Sequence, residues 1–262
     1  MEVQEGAPSS RVQRTELPLE VAVASHAGRR NTNADAYAVH RAAGFFAVAD
    51  GLGDSPRSAI VARMAIEAIG ELFLGGWALH SPAERTPREA GERLQLGVLQ
   101  AHARLYVPGR SKEQRIGTTF AGVVACGGEL CVGHVGDSRV YLLRRSKARL
   151  ARLTEDHTLQ GDAIRRGMPH DRAAALPNAH ALTRMLGVTR NTDLELVLHR
   201  WEPGDIVLVC TDGVSDRVEL EALATILLDV EDLTEAARTI IGRTNDLGGW
   251  DNATALLVRR PG

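Results

Sequence analysis

The sequence predicts an α+β protein: a four-layer α-β-β-α sandwich in which two antiparallel β-sheets are flanked by helical pairs. Three observations lead there. Apolar runs of strand length recur along the chain and are separated by glycine-rich turns. Two pairs of segments repeat apolar residues at helical spacing, one pair after the first strands and one before the last. No tandem repeat or second linker interrupts the pattern, so a flexible N-terminal tail over residues 1–17 and one domain over 18–262 are expected. A chain of 262 residues has ample length for such a core.

Residues 1 to about 17 are polar and rich in Gly, Ser, Pro and Glu. Leu19–Ser25, Ala36–His40 and Gly44–Asp50 read as three strands, the first two separated by the crowded polar turn Gly28–Asp35. Ser55–Leu74 reads as a helix started by Ser55-Pro56, with Ile60, Met64, Ala68 and Leu72 on one stripe. Pro87–Tyr106 reads as a second, with Leu94, Val98, Ala101 and Leu105 recurring, and Gly75–Pro82 joins the two.

From Gly117 the period becomes two. Thr118–Ala125 and Leu130–Gly136 flank Gly127-Gly128, a hairpin signal, and Val140–Arg144 continues the meander to a turn at Ser146-Lys147. Residues 156–181 are polar, with two helical hints, Pro169 and Pro177. So long a segment with little strand character reads as a functional surface insert. Leu194–Leu198 and Ile206–Cys210 resume strands. Glu219–Leu228 and Glu231–Asn245 read as helices, and Ala253–Val258 as the closing strand.

Composition narrows the function. A formal charge of -2 gives no general attraction to nucleic acid or to an anionic membrane. Aromatic residues, at 4%, are too scarce for a base-stacking platform. The N-terminus lacks the apolar core of a signal peptide and no stretch approaches bilayer-spanning length, so a cytoplasmic location is expected. Cys126, Cys131 and Cys210 lie in apolar stretches and read as buried thiols.

The chemistry starts at Phe45–Gly53, where an apolar run ends abruptly in Asp50-Gly51-Leu52-Gly53. A carboxylate at a strand end, beside a carbonyl left bare by glycine, suits a hard divalent cation. The pattern recurs. Ile206–Cys210 runs into Thr211-Asp212-Gly213, Asp251 stands just before Ala253–Val258, and Asp137 lies in the turn after Leu130–Gly136. Acids at several strand ends can converge at one rim of a sheet, and an oxygen-only cluster favours magnesium or manganese over zinc or copper.

These motifs form a series. Asp50-Gly51-Leu52-Gly53, Gly117-Thr118-Thr119, Val135-Gly136-Asp137-Ser138-Arg139, Leu153-Thr154-Glu155-Asp156-His157, Leu182–Gly187, Thr211-Asp212-Gly213 and Asp251-Asn252-Ala253-Thr254 follow in order. Together they resemble the signature set of metal-dependent type 2C (PPM family) serine/threonine protein phosphatases, in their bacterial branch, over residues 19–259. The resemblance implies a binuclear Mn2+ or Mg2+ centre at one end of the sandwich, with a third, weaker ion beside it. It also implies phosphorylated proteins as partners, including a serine/threonine kinase or its substrates. By position, Asp50 would bridge two metals and the Gly51 carbonyl would hold one of them, with Asp212 and Asp251 on the other. Asp137 resembles the acid that helps bind the third ion with Asp212. Arg30, three residues before Asn33, matches the arginine that grips the substrate phosphate.

The implied reaction is in-line attack on a phosphomonoester by metal-activated water, without a phosphoenzyme. Arg30 suits its role because a guanidinium forks onto two phosphate oxygens. Duller roles exist for each residue: turn former for Asp50, Asp212 and Asp251, an ion pair with Arg139 for Asp137, and plain solvation for Arg30 beside Arg29. Asp35 reads either as a second-layer acceptor or as a turn cap, and His134 and His157 as structural hydrogen-bonding groups. Three departures from the family pattern stand out. Ala34 replaces a Glu or Gln, Asp54 stands where a second glycine is common, and Leu52 replaces the histidine offered as general acid by eukaryotic members. Two other functions compete: a pseudophosphatase that binds phosphoproteins, and another two-metal hydrolase such as a nuclease.

Overall fold

The structure is a computed structural model that describes residues 19–81, 84–107 and 116–261. The predicted tail over 1–17 lies outside the described residues. Among the described residues, ten strands form two sheets. One has the order β1 (Glu20–His26), β10 (Ala253–Arg259), β9 (Ile206–Cys210), β6 (Arg139–Arg144), β7 (Arg149–Arg152). The other has the order β2 (Asp35–His40), β3 (Phe45–Asp50), β4 (Phe120–Cys126), β5 (Glu129–Val135), β8 (Glu195–Arg200), and every pairing is antiparallel.

Strand β3 shows how the layers are written into the sequence. Its side chains alternate between two cores, because successive residues of a strand face opposite ways. Phe45, Ala47 and Ala49 pack towards helices α1 (Pro56–Gly70) and α3 (Pro87–Leu105), while Phe46 and Val48 pack between the sheets. On the other sheet, Leu208 and Cys210 pack with α7 (Leu220–Asp229) and α8 (Leu233–Asp246), and Val207 and Val209 face inwards. The four-layer sandwich is as expected. All three cysteines are buried and free, and no helix among the described residues is long and apolar enough to cross a membrane.

Helix starts follow capping chemistry. The Ser55 hydroxyl accepts from Ser58 N–H ahead of α1, and Thr86 accepts from Glu89 N–H ahead of α3, with Pro56 and Pro87 at first-turn positions. The predicted stripe on α1 is wrong in part. Ala68 is buried, but Ile60 and Met64 are 57% and 40% exposed. Steps of four residues drift by about 40° each around a helix, so a long i+4 row leaves the core face. The buried face is instead Ser58, Ala62, Ala65, Ile66 and Ile69, mostly small. A Cβ on Gly97 of α3 would lie 3.0 Å from the Ile69 Cα, so small residues let the two helices approach closely. Helix α1 stops at Gly70, a 3-10 turn follows over Glu71–Phe73, and the joining segment carries a short helix α2 (Gly76–Leu79). Strand β7, beyond the predicted turn, was not anticipated. The insert over 156–181 contains α4 (Leu159–Arg165) and α5 (His170–Ala174).

Candidate active site

Antiparallel pairing brings separate strand ends to one place. Asp35, opening β2, is the register partner of Asp50, closing β3. Strands β9 and β10 are likewise antiparallel, so Asp212 after one and Asp251 before the other emerge together. Asp137 follows β5 at Gly136, whose φ of +108° makes the turn. Arg30, Asp50, Gly51, Asp137, Asp212 and Asp251 line a single cleft of about 550 Å³, together with Leu52, Asp54 and His180. Every predicted site residue is therefore at one site.

The backbone around Asp50 is fixed from several sides. Its N–H donates to Thr119 Oγ1 at 2.9 Å, and its carbonyl accepts from Thr119 N–H at 2.9 Å and from the Thr118 hydroxyl at 2.8 Å. A Cβ on Gly51 would lie 2.3 Å from the Ser58 carbonyl oxygen, so glycine is required by close approach. Gly213 is tighter still, 1.9 Å from the Asn252 carbonyl, which presses the Asp212 turn against the Asp251 loop. Asp212 does not stand in a plain turn. It opens a short helix, α6 (Asp212–Ser215).

Asp35 and Asn252 form the support. The Thr211 and Thr254 hydroxyls both donate to Asp35 Oδ2, at 2.9 and 2.7 Å. Asn252 accepts from Ala34 N–H and donates to the carbonyls of Ala27 and Thr32, tying the Arg30 loop to β10. Ala34 is buried and takes part here through its backbone: its carbonyl also accepts from Gly51 N–H. Sequence reading did not single out Asn252, Thr211 or Thr254 as supports, although they stand inside its motifs. Asp54 accepts from the N–H groups of Asn31 and Thr32, at 3.3 and 3.0 Å, and so braces the same loop.

Arg30 forks onto both carboxylate oxygens of Asp251, at 3.1 and 2.9 Å. Asp137 makes no pair with Arg139, whose guanidinium forks onto Asp156. His134 and His157 play structural parts. His134 Nε2 bonds the Glu155 carbonyl, and His157 Nδ1 accepts from Gly136 N–H, which holds the Asp137 turn. That tautomer leaves the His157 Nε2 proton facing Glu195, at 3.1 Å.

The electrostatics are one-sided. Burial raises the pKa of Asp50 well above the carboxylate range, and Asp212, Asp35 and Asp137 add repulsion. Burial, followed by Asp212, likewise raises Asp137. Burial raises Asp212, with Asp216 and Asp251 adding repulsion, and it raises Asp35 despite two hydroxyl donors. Asp35 Oδ1 and Asp212 Oδ1 are buried without a hydrogen-bond partner. Clustered carboxylates with unpartnered oxygens are expensive unless a cation compensates them. The donors are all oxygen, which suits a hard divalent ion, so the residues present fit the metal centre that the motifs imply.

Comparison with known proteins follows the same line. A family model described as Protein phosphatase 2C matches residues 24–247. The serine/threonine phosphatase stp of Listeria innocua is 30% identical over 220 residues, covering 81% of this chain and 83% of that protein. Among solved structures, the S. agalactiae serine/threonine phosphatase aligns with a TM-score of 0.81 at 27% identity, covering 92% of this chain and 99% of its own. The catalytic domain of the serine/threonine protein phosphatase PstP, in complex with two manganese ions, aligns with a TM-score of 0.76 at 25% identity, covering 93% and 99%.

Proposed function

Because this chain belongs to the protein phosphatase 2C family, we propose that its acidic cleft removes phosphate from phosphoserine and phosphothreonine in proteins, using divalent metal ions. The observation that carries this reading is the convergence of Asp50, Asp137, Asp212 and Asp251 with Arg30 in one cleft. The full acid set leaves no observation in favour of a pseudophosphatase.

In this assignment Asp50, the Gly51 carbonyl, Asp212 and Asp251 would together hold two divalent ions, with Asp50 contributing to both. Asp137, close enough to feel the Asp212 charge, would help Asp212 hold a third and weaker ion. Manganese or magnesium fits the oxygen donors. When bound, the ions supply an activated water at neutral pH and offset the charge of the phosphoryl oxygens. The chain's own residues do the rest. Thr118 and Thr119 hold Asp50 in place, and Asp35 fixes the ends of β9 and β10. Arg30, aimed by the fork of its Nε and Nη2 onto Asp251, would offer its remaining Nη donors to the phosphate. Leu52, half exposed at the cleft mouth, has no proton to give, so solvent or another group protonates the leaving alkoxide.

Asp54 acts through Arg30. Asp54→Ala removes both hydrogen bonds that brace the Arg30 loop. It is expected to raise KM for a phosphopeptide about five- to tenfold, as for one or two modest hydrogen bonds, with a smaller change in kcat. Asp54→Asn, which keeps an acceptor oxygen, should recover part of the loss in steady-state kinetics.

Phosphoserine and phosphothreonine in proteins are the products of serine/threonine kinases, so a kinase or its substrates is the partner class that this reading implies. A direct comparison of substrates tests the reading against another two-metal hydrolase. With manganese, a phosphothreonine peptide is expected to release phosphate while single-stranded DNA stays intact. Cleavage of DNA but not the peptide would overturn it.

A further inference from the structure

The loops that carry Arg30 and Asp251 meet in two successive rungs, and the active site uses only one. In that rung Arg30 forks onto Asp251. In the next, the Arg29 guanidinium lies 4.1 Å from the ring centroid of Trp250, while Arg29 N–H donates to the Gly249 carbonyl at 2.7 Å. The loops touch closely here, since a Cβ on Gly28 would lie 2.2 Å from the Asp251 carbonyl oxygen. Trp250 is 55% exposed, large for an aromatic residue next to a cleft. Its ring rests on its own turn, where a Cβ on Gly248 would come within 2.4 Å of Nε1.

Arg29 differs from its neighbour in one respect: no carboxylate among the described residues pairs with it. It is an exposed cation held over an indole ring. Stacking restricts a long side chain in advance, so less freedom is lost when it meets an anion.

We propose that the Arg29–Trp250 pair is a specificity subsite that reads an acidic side chain flanking the phosphorylated residue, making acidic phosphopeptides the favoured substrate class. The inference rests on the phosphatase reading above. Neighbouring residues are about 3.8 Å apart in both chains. A cation one residue from the phosphate-binding Arg30 therefore suits an acid one or two residues from the phosphothreonine.

The test compares phosphothreonine peptides with glutamate, glutamine or lysine at the flanking positions, together with a small aryl phosphate. The native chain is expected to favour the glutamate peptide over the glutamine peptide about fivefold in kcat/KM, the scale of one exposed ion pair. High salt should narrow the preference. Arg29→Glu should reverse the order in favour of the lysine peptide, and Arg29→Gln or Trp250→Leu should flatten it. A mere loop staple would not invert a charge preference. If the native chain cleaves the aryl phosphate but ranks the peptides alike, or if Arg29→Glu keeps the native ranking, the subsite is refuted while the phosphatase reading stands. A metal-loaded native chain inert towards every substrate refutes both.

Discussion

Asp212→Asn is expected to lower kcat/KM for a phosphothreonine peptide by on the order of 1,000-fold or more, each tenfold being 1.36 kcal/mol of lost transition-state stabilisation. The fold should survive. Asparagine has the size of aspartate, and the turn is fixed by its backbone, with Asp216 N–H bonded to the Asp212 carbonyl at 2.8 Å. The substitution also removes one negative charge from a mutually repelling group that includes Asp50 and Asp137. The metal-free variant should therefore melt at the same temperature as the native chain or above it, while binding manganese more weakly. Opposite signs for stability and activity separate lost metal chemistry from lost folding. A variant that melts lower yet binds manganese as the native chain does would contradict the role given to Asp212.

A second large effect is the pH dependence of metal stabilisation. Asp50, Asp137, Asp212 and Asp35 all have raised pKa values in the folded chain, chiefly through burial. Above the unfolded value of about 3.9 the unfolded chain gives up protons that the folded cluster still holds. Their contribution to stability therefore falls as pH rises from there through the folded pKa values. Buried histidines act with the opposite sign. Burial lowers His40, His134 and His157, so these groups penalise folding as pH falls through about 6.5. The difference between manganese-loaded and chelated samples cancels the histidines and isolates the acids. Ligand carboxylates must be deprotonated to bind metal, so affinity grows with pH.

The rise in Tm on adding manganese should therefore be larger at pH 8 than at pH 5. Ion at one hundred times its Kd contributes about 2.7 kcal/mol per site, which corresponds to several degrees in a chain of this size. A metal effect that is absent, or equal at both pH values, would show that Asp50, Asp137 and Asp212 are not the ligands.

The site was more legible in the sequence than the packing that supports it. Asp50, Asp137, Asp212 and Asp251 each sit where an apolar run meets a turn, and antiparallel pairing then brings such ends together without further information. Arg30 was legible through its spacing to Asn33. The support was harder to read, because Thr211, Thr254 and Asn252 look like ordinary turn and strand residues until their partners are known. Asp54, visible in the sequence only as a departure from a common glycine, proves to be an acceptor for two backbone N–H groups. Helix α1 was placed correctly but turned wrongly, since alanines and a serine share its buried face with Ile66 and Ile69 where the helices approach closely, while Ile60 and Met64 face outwards. Strand β7 escaped notice because Arg149-Leu150-Ala151-Arg152 is short and half polar, as an edge strand can be.

The most direct test is phosphate release from a phosphothreonine peptide by the native chain, first with manganese, then with chelator, then with manganese restored. Converging acids that serve a metal-dependent phosphatase require release that stops on chelation and returns with the ion. Release that continues undiminished in chelator, or no release from a folded chain with manganese bound, would contradict that account.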